Sequence, residues 1–430
     1  MQTLEITSPK RSHKNLKEWG AFFPYYAGYS ENFANAILAS ARLSDDAIVL
    51  DPWNGSGTTT HAAVSQGLSG HGIDLNPAMV IIARARLLAP SEADCITPLA
   101  HDIAKAALCT RYSIDDSDPL SVWLGKGSAS AVRSIELDIR HRLVGQMTLN
   151  QSGVRLDHIS CLAATFYVAL FATCRSLVGK FQSTNPTWLR TPKCTETRAG
   201  VPRTVIAKRF VASLSEMAHA LAVKQENGHR ERASFHITLG DSTAMGLPSE
   251  SVDFILTSPP YCTRIDYTAA TRVELALLAP LLRTSVLDLS RTMIGSTRVP
   301  HTRPAVSASW GARCARFLRK IQEHPSRASS GYYYSTHLDY FDKIAKSMDG
   351  IALSLKTRGR AIIVVQDSYY KEIHNELPAI ITEIADARRL RLSRRVDFTH
   401  SNSMLSINTR ARKYKKSLMA TEAVLCFEKV

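Results

Sequence analysis

Asp51-Pro52-Trp53-Asn54-Gly55-Ser56-Gly57-Thr58-Thr59 follows the apolar run Ala47-Ile48-Val49-Leu50. Together they predict a buried strand, a glycine-rich turn and the first turn of a helix. Such a junction offers backbone N–H groups and a positive helix end to a ligand, which suits a nucleoside cofactor. Much later in the chain a second strand pattern, Val252-Asp253-Phe254-Ile255-Leu256, runs into Thr257-Ser258-Pro259-Pro260-Tyr261. Each proline fixes its own φ, so a polar residue before two prolines makes a rigid, exposed corner. That corner suits holding a flat base by its exocyclic amine.

The segments around these two extend the pattern. Phe22 to Ser30 is rich in aromatic residues and precedes a predicted helix from Glu31 to Arg42. Phe33, Ile37, Leu38 and Ala41 fall on one face of that helix, with Ser30 as its N-cap. After a helix from Thr58 to Gln66, the strand Gly70-His71-Gly72-Ile73-Asp74 ends in an acid. An acid there binds ribose hydroxyls in nucleotide folds; it could also serve as N-cap for a helix starting near Pro77. Phe235 to Leu239 is a further strand, closed by the turn Gly240-Asp241-Ser242. Downstream, Thr336 opens an amphipathic helix with Leu338, Phe341, Ile344, Met348 and Ile351 on one face. Arg360 to Asp367 reads as a buried strand, followed by a helix over about 376–387. Alternation around Val396–Thr399 and Ala423–Glu428 predicts an antiparallel hairpin. Two stretches lack strand–helix alternation: 105–230, read as largely helical, and 280–334, read as irregular and rich in arginine.

With 430 residues the chain can hold one large domain or two ordinary ones. Its formal charge of +15 points to a polyanionic partner, of which nucleic acid is the commonest; colloidal solubility is the plainer use of such charge. The eight cysteines form no Cys-x-x-Cys pair and no His cluster accompanies them, so neither a metal site nor a disulfide framework is expected. Reduced thiols fit a cytoplasmic location. Cys262, next to the proline corner, reads as a small packing residue. The polar, basic start of the chain is not a secretory signal. The most apolar run, Ile159 to Cys174, is too short to span a bilayer and reads as a buried helix.

The two quoted motifs resemble those of the DNA amino-methyltransferases, which move a methyl group from S-adenosyl-L-methionine to cytosine N4 or adenine N6. The family's cofactor motif reads roughly Asp-Pro-Phe-x-Gly-Ser-Gly-Thr-Thr, and here Trp53 stands for the phenylalanine. Its catalytic motif is Ser/Asn/Asp-Pro-Pro-Tyr/Phe, and the serine form leans towards cytosine N4. The resemblance covers roughly 20–104, 231–275 and 336–430 and implies an α/β fold: a Rossmann-like class I methyltransferase sheet with a C-terminal antiparallel hairpin and helical or irregular insertions. It divides the chain into a cofactor half (20–104), a helical insertion (105–230), a core piece with the catalytic strand (231–279), an Arg-rich insertion that is the favoured target reader (280–334) and the rest of the core (335–430). It implies catalytic roles for Ser258, Pro259, Pro260 and Tyr261. Cofactor contacts fall to Tyr25, Tyr26, Asp51, Pro52, Trp53, Gly55, Gly57, Thr58, Asp74, Asp241 and Ser242, with Asp241 placed for the adenine amino group. Arg264, Arg291, Arg298 and Arg412 are candidate DNA contacts. Implied partners are double-stranded DNA and a companion restriction or defence component, with no membrane and no metal; the oligomeric state stays open.

Other readings remain at this point: adenine-N6 methylation, methylation of RNA bases, and a non-catalytic nucleic-acid-binding subunit that keeps the fold.

Overall fold

The computed structural model describes residues 4–11, 22–23, 28–144, 149–150, 153–154, 156–183, 188–193, 196–226, 233–262, 267–282, 284–298, 302–400 and 420–430. Its centre is a seven-stranded sheet. In chain order the strands are β1 (Ile48–Asp51), β2 (Ser69–Asp74), β3 (Phe235–Leu239), β4 (Val252–Thr257), β5 (Leu355–Gln366), β6 (Leu390–His400) and β7 (Ala420–Lys429). Across the sheet they run 3-2-1-4-5-7-6. The pairs from β3 to β5 are parallel, and β7 is inserted antiparallel to both β5 and β6. This order, with a reversed last hairpin, is the class I methyltransferase sheet that the sequence implies.

The central strands read as continuous apolar runs because both faces are covered. Phe254, Ile255 and Leu256 of β4 and Ala361 to Val365 of β5 are fully buried. On one face lies α1 (Glu31–Ala41), held by Phe33, Ile37 and Leu38 against Val49, Phe254 and Val364. Ser30 caps it, its hydroxyl accepting from Phe33 N at 3.2 Å. After β1 comes α2 (Thr58–Ser65), and after β2 comes α3 (Pro77–Ala85).

The segment between α3 and β3 is helical and begins before residue 105. It comprises α4 (Ala93–Cys109), α5 (Lys126–Leu143), α6 (Cys161–Leu177) and α7 (Arg203–Glu226). Their core is continuous with the apolar side of α3 and with α8 (Arg272–Leu278). The apolar run Ile159 to Cys174 is α6, whose Phe166, Tyr167 and Phe171 are wholly enclosed. Buried charge ties this bundle to the core. Arg133 pairs with Asp118 at 2.8 Å and donates to the carbonyls of Ala276 and Leu277, and Arg175 pairs with the fully buried Glu274 at 2.5 Å. Among the described residues no helix is long and apolar enough to cross a membrane.

The stretch 280–334 is not irregular throughout. It contains α9 (Gly311–Glu323), which buries Cys314, Phe317, Leu318 and Ile321. That i, i+3, i+4, i+7 spacing is helical, and the surrounding arginines had masked it. Next come α10 (Tyr334–Ser354) and, after β5, α11 (Leu377–Asp386). These three helices share one apolar cluster with the opposite face of β5.

Candidate active site

The ends of β1, β2, β3, β4 and β5 meet at one edge of the sheet, the carboxyl edge at which open α/β folds bind ligands. Adjacent β1 and β4 run in register, Leu50 opposite Ile255, so the two motif loops leave the sheet side by side.

Asp51 joins them. Its carboxylate is 4 % exposed and accepts from Thr257 Oγ1 at 2.5 Å, Trp53 N at 3.1 Å and Thr59 Oγ1 at 2.6 Å. Tyr29 adds its hydroxyl, which bonds Thr59 and reaches Asp51 Oδ2 at 3.4 Å and the Leu256 carbonyl at 3.1 Å. Asp51 is thus a buried tie between the glycine-rich turn, the end of β4 and α2. Burial pushes its carboxyl up to about 6, against the lowering effect of these hydrogen bonds.

The glycine-rich turn is shaped by its neighbours. Gly57 has φ 79°, and a Cβ there would lie 2.8 Å from Ala83 Cβ on α3. A Cβ on Gly72 would meet the Asn54 side chain at 2.5 Å. Gly57 gives α2 no side-chain cap, so the first-turn N–H groups of α2 have no side-chain partner from the cap position. Gly57→Ala is expected to cost about 1–2 kcal/mol for the left-handed φ alone, and more for the contact with α3. Thermal unfolding and S-adenosylmethionine titration would show a lower melting point and an affinity reduced about tenfold or more. Unchanged binding would mean that the turn does not form the cradle.

Asp74 lies at the end of β2. Its carboxylate accepts from Gly55 N at 2.7 Å and Asn76 N at 2.8 Å. Asn76, not Asp74, caps α3, its side chain accepting from Ala78 N at 3.1 Å. Asp74 therefore braces the glycine-rich turn with one lone pair of each oxygen and keeps the others for a ligand. Burial pushes its carboxyl up to about 6. Gly240 N donates to the Asp74 carbonyl at 3.0 Å, which sets the Gly240-Asp241 turn beside it. Asp241 accepts from Thr243 N at 2.8 Å, and Ser242 is buried with its hydroxyl 2.9 Å from Ser347 Oγ. Pro52 is buried under the turn and Trp53 is half-buried against the α9–α11 cluster. Two buried donors of this turn, Trp53 Nε1 and Asn54 Nδ2, have no partner among the described residues. Thr58 Oγ1 accepts from Arg11 Nη2 at 2.9 Å and from Arg86 Nη1 at 3.3 Å. Uncapped helix N–H groups, orphaned turn donors and two acids at neighbouring strand ends fit a cofactor that carries a ribose, an adenine and an amino acid end, as S-adenosylmethionine does.

The proline corner is braced from three sides. Ser258 Oγ donates to the Val364 carbonyl of β5 at 3.0 Å. Tyr340 OH of α10 donates to the Pro260 carbonyl at 2.9 Å. Tyr261 OH donates to Glu422 Oε1 of β7 at 2.8 Å. Cys262 is enclosed behind the corner, and burial pushes its thiol well up, as befits a packing residue. Thr257, Tyr29, Tyr340 and Glu422 went unnamed as site residues from sequence. Thr257 stands inside the motif and Tyr29 inside the aromatic segment Phe22–Ser30, but Tyr340 and Glu422 lie too far along the chain for any local pattern to reveal them.

Of the candidate DNA contacts, Arg291 is exposed and paired with Asp288 at 3.1 Å, and Arg298 is exposed. Arg264, Arg412, Tyr25 and Tyr26 lie outside the described residues. Among the described residues no cluster of His, Cys, Asp and Glu could hold a metal ion.

No protein-family model and no curated protein matches the chain. Solved structures similar to it include a protein described as a sarcosine dimethylglycine methyltransferase from Galdieria sulphuraria, at 9 % identity, covering 93 % of this chain and 84 % of that one with a TM-score of 0.31. Another is a SAM-dependent methyltransferase from Methanosarcina mazei, at 8 % identity, covering 91 % and 97 % with a TM-score of 0.27. The fold assignment rests on the strand order 3-2-1-4-5-7-6 and the reversed β7, which make this chain's core a class I methyltransferase sheet.

Proposed function

We propose that this chain is an S-adenosylmethionine-dependent DNA methyltransferase acting on the exocyclic amine of a flipped base, cytosine N4 in preference to adenine N6. The observation that carries this reading is the 2.5 Å hydrogen bond from Thr257 to Asp51, which puts the cofactor loop and the Ser-Pro-Pro-Tyr corner at one sheet edge.

When bound, S-adenosylmethionine supplies an electrophilic methyl group. Gly55, Gly57 and Asp74 would hold it, with Asp241 towards the adenine end. The chain's own work is on the nucleophile. A cytosine amine has its lone pair delocalised into the ring. Ser258 has one hydroxyl proton and gives it to Val364, so towards a base it can act only as an acceptor. With the Pro259 carbonyl as second acceptor, it would draw the amine towards a pyramidal form, closer to the transition state than to the ground state. The braces from Tyr340 and Glu422 keep these acceptors from having to reorganise. The Tyr261 ring, anchored through its hydroxyl, offers a face on which the base can stack. Extruding that base costs a few kcal/mol, which phosphate contacts from so basic a protein would offset.

Incubation with methyl-labelled cofactor and either duplex DNA or transcribed RNA tests the substrate class: label is expected in DNA. Label confined to RNA would favour the RNA reading.

The pH dependence is expected to carry two opposite signs. Asp51 and Asp74 are both pushed up to about 6, so the folded protein holds these protons more tightly than the unfolded chain. Their ionisation therefore lowers folding stability as pH rises from about 4 to about 6, with no further change above. Cofactor affinity runs the other way, because Asp74 accepts the ribose hydroxyls best when ionised. Affinity is expected to weaken as pH falls through 6, by up to about tenfold per unit. Calorimetric titration from pH 8 to 5 measures this, and Asp74→Asn should flatten the part due to Asp74. A flat wild-type profile would remove Asp74 from the cofactor contacts.

A further inference from the structure

A short hairpin, Ser368–Tyr370 with Ile373–Asn375, leaves the sheet directly after β5, at the same carboxyl edge as the Ser-Pro-Pro-Tyr corner. Asp367, at its root, donates its N–H to the Thr421 carbonyl, beside the Glu422 that anchors Tyr261. The hairpin therefore stands next to the catalytic corner.

Its two faces differ in kind. One is an anchor. Ser368 and Asn375 are buried and bonded to each other at 2.9 Å. Tyr370 sits in a cluster with Tyr333, His337 and His324, at ring distances of 4.9, 5.8 and 5.6 Å, and its hydroxyl bonds Ser329. The other face is Tyr369 and His374, directly opposite in the ladder. Their rings stack at 4.7 Å with 24° between planes. Tyr369 is 42 % exposed and the His374 side chain 41 %. His374 Nε2 lies 2.9 Å from Asp367 Oδ2, which fixes the imidazole under the phenol.

The second face is left partly open to solvent. Exposed aromatic surface whose orientation is fixed in advance pays little entropy on binding a flat partner. Every nucleobase has a π-face, and stacking on aromatic side chains is a principal device by which proteins hold unpaired bases.

We propose that the Tyr369–His374 stack is a platform for an unpaired nucleobase, namely the one left without its pairing partner when the target is extruded. This rests on the nucleic-acid reading above and adds a subsite to it. Tyr369 would be the contact residue, and His374 and Asp367 would position it.

The test uses the full chain and a mixed-sequence single-stranded DNA oligonucleotide carrying 2-aminopurine, whose fluorescence is quenched on stacking. Wild-type protein is expected to bind and quench it. Tyr369→Ala should weaken binding by about tenfold or more and lose most of the quench. Tyr369→Phe, which keeps the ring, should stay close to wild type, and S-adenosylmethionine affinity should be the same in all three. Equal binding and quench by Tyr369→Ala, with wild type binding normally, would overturn the platform and leave the DNA reading standing. Absence of wild-type binding to this strand would overturn the platform, and absence of binding to duplex DNA as well would overturn both. A drop in S-adenosylmethionine affinity in Tyr369→Ala would mean a general disturbance of the corner and would also sink the subsite.

Discussion

Replacing Ser258 with alanine is expected to lower methyl transfer by about two to three orders of magnitude while barely changing S-adenosylmethionine affinity, the loss seen when one preorganised hydrogen-bonding group is removed from a reacting centre. The reason lies in how the hydroxyl is used. Its proton goes to the Val364 carbonyl at 3.0 Å, so its oxygen points lone pairs rather than a proton at an incoming amine. Alanine removes that acceptor and also leaves Val364 without this donor, a stability cost of about 1 kcal/mol. Cofactor affinity should hold because the groups that would bind it, Gly55, Gly57 and Asp74, are fixed by other bonds. Single-turnover kinetics at saturating cofactor separate chemistry from binding. Turnover near wild type would show that Ser258 takes no part in chemistry. Equal losses of turnover and cofactor affinity would point instead to a collapsed corner.

Asp51→Ala is expected to be the most damaging substitution for the fold of the site. One carboxylate satisfies Thr257, Thr59 and the Trp53 N–H, with Tyr29 closing the network. Each buried donor left without an acceptor costs about 1–3 kcal/mol, so the total is on the order of several kcal/mol. The effect should spread to both loops, since the 2.5 Å bond to Thr257 ties the end of β4 to the glycine-rich turn beyond the β1–β4 pairing. Thermal unfolding should show a large drop in melting temperature, and calorimetry a loss of S-adenosylmethionine binding. Asp51→Asn, which keeps one acceptor oxygen, should fall between. Should Asp51→Ala melt like wild type, the buried network would not be the element that joins the motifs.

The sheet was legible because its strands are short apolar runs that end in punctuated turns. Asp51, Asp74, Asp241 and Ser258 each close a strand or start the turn after it, and the topology then brings those ends to one edge. One of these residues works differently from the simplest reading. Asp51 looks like a cofactor ligand in the linear motif, yet it is spent on Thr257 and Thr59 beneath the turn. Asp74 could also have capped α3, but Asn76 holds that place, and Asp74 braces the glycine-rich turn. The braces of the corner were illegible for a different reason. Val364, Tyr340 and Glu422 lie on separate elements far down the chain, and nothing in their own neighbourhoods marks them as partners of Ser258, Pro260 and Tyr261. Helix α9 was hidden by composition: its exposed side carries Arg313, Arg316 and Arg319, which drew the eye from the apolar spacing beneath.

The most direct test of the central claim is mass spectrometry of nucleosides from the DNA of a host expressing the wild-type chain, with a host expressing Ser258→Ala as control. N4-methylcytosine is expected in the first and absent from the second. DNA from the wild-type host with neither N4-methylcytosine nor N6-methyladenine above the control would contradict it.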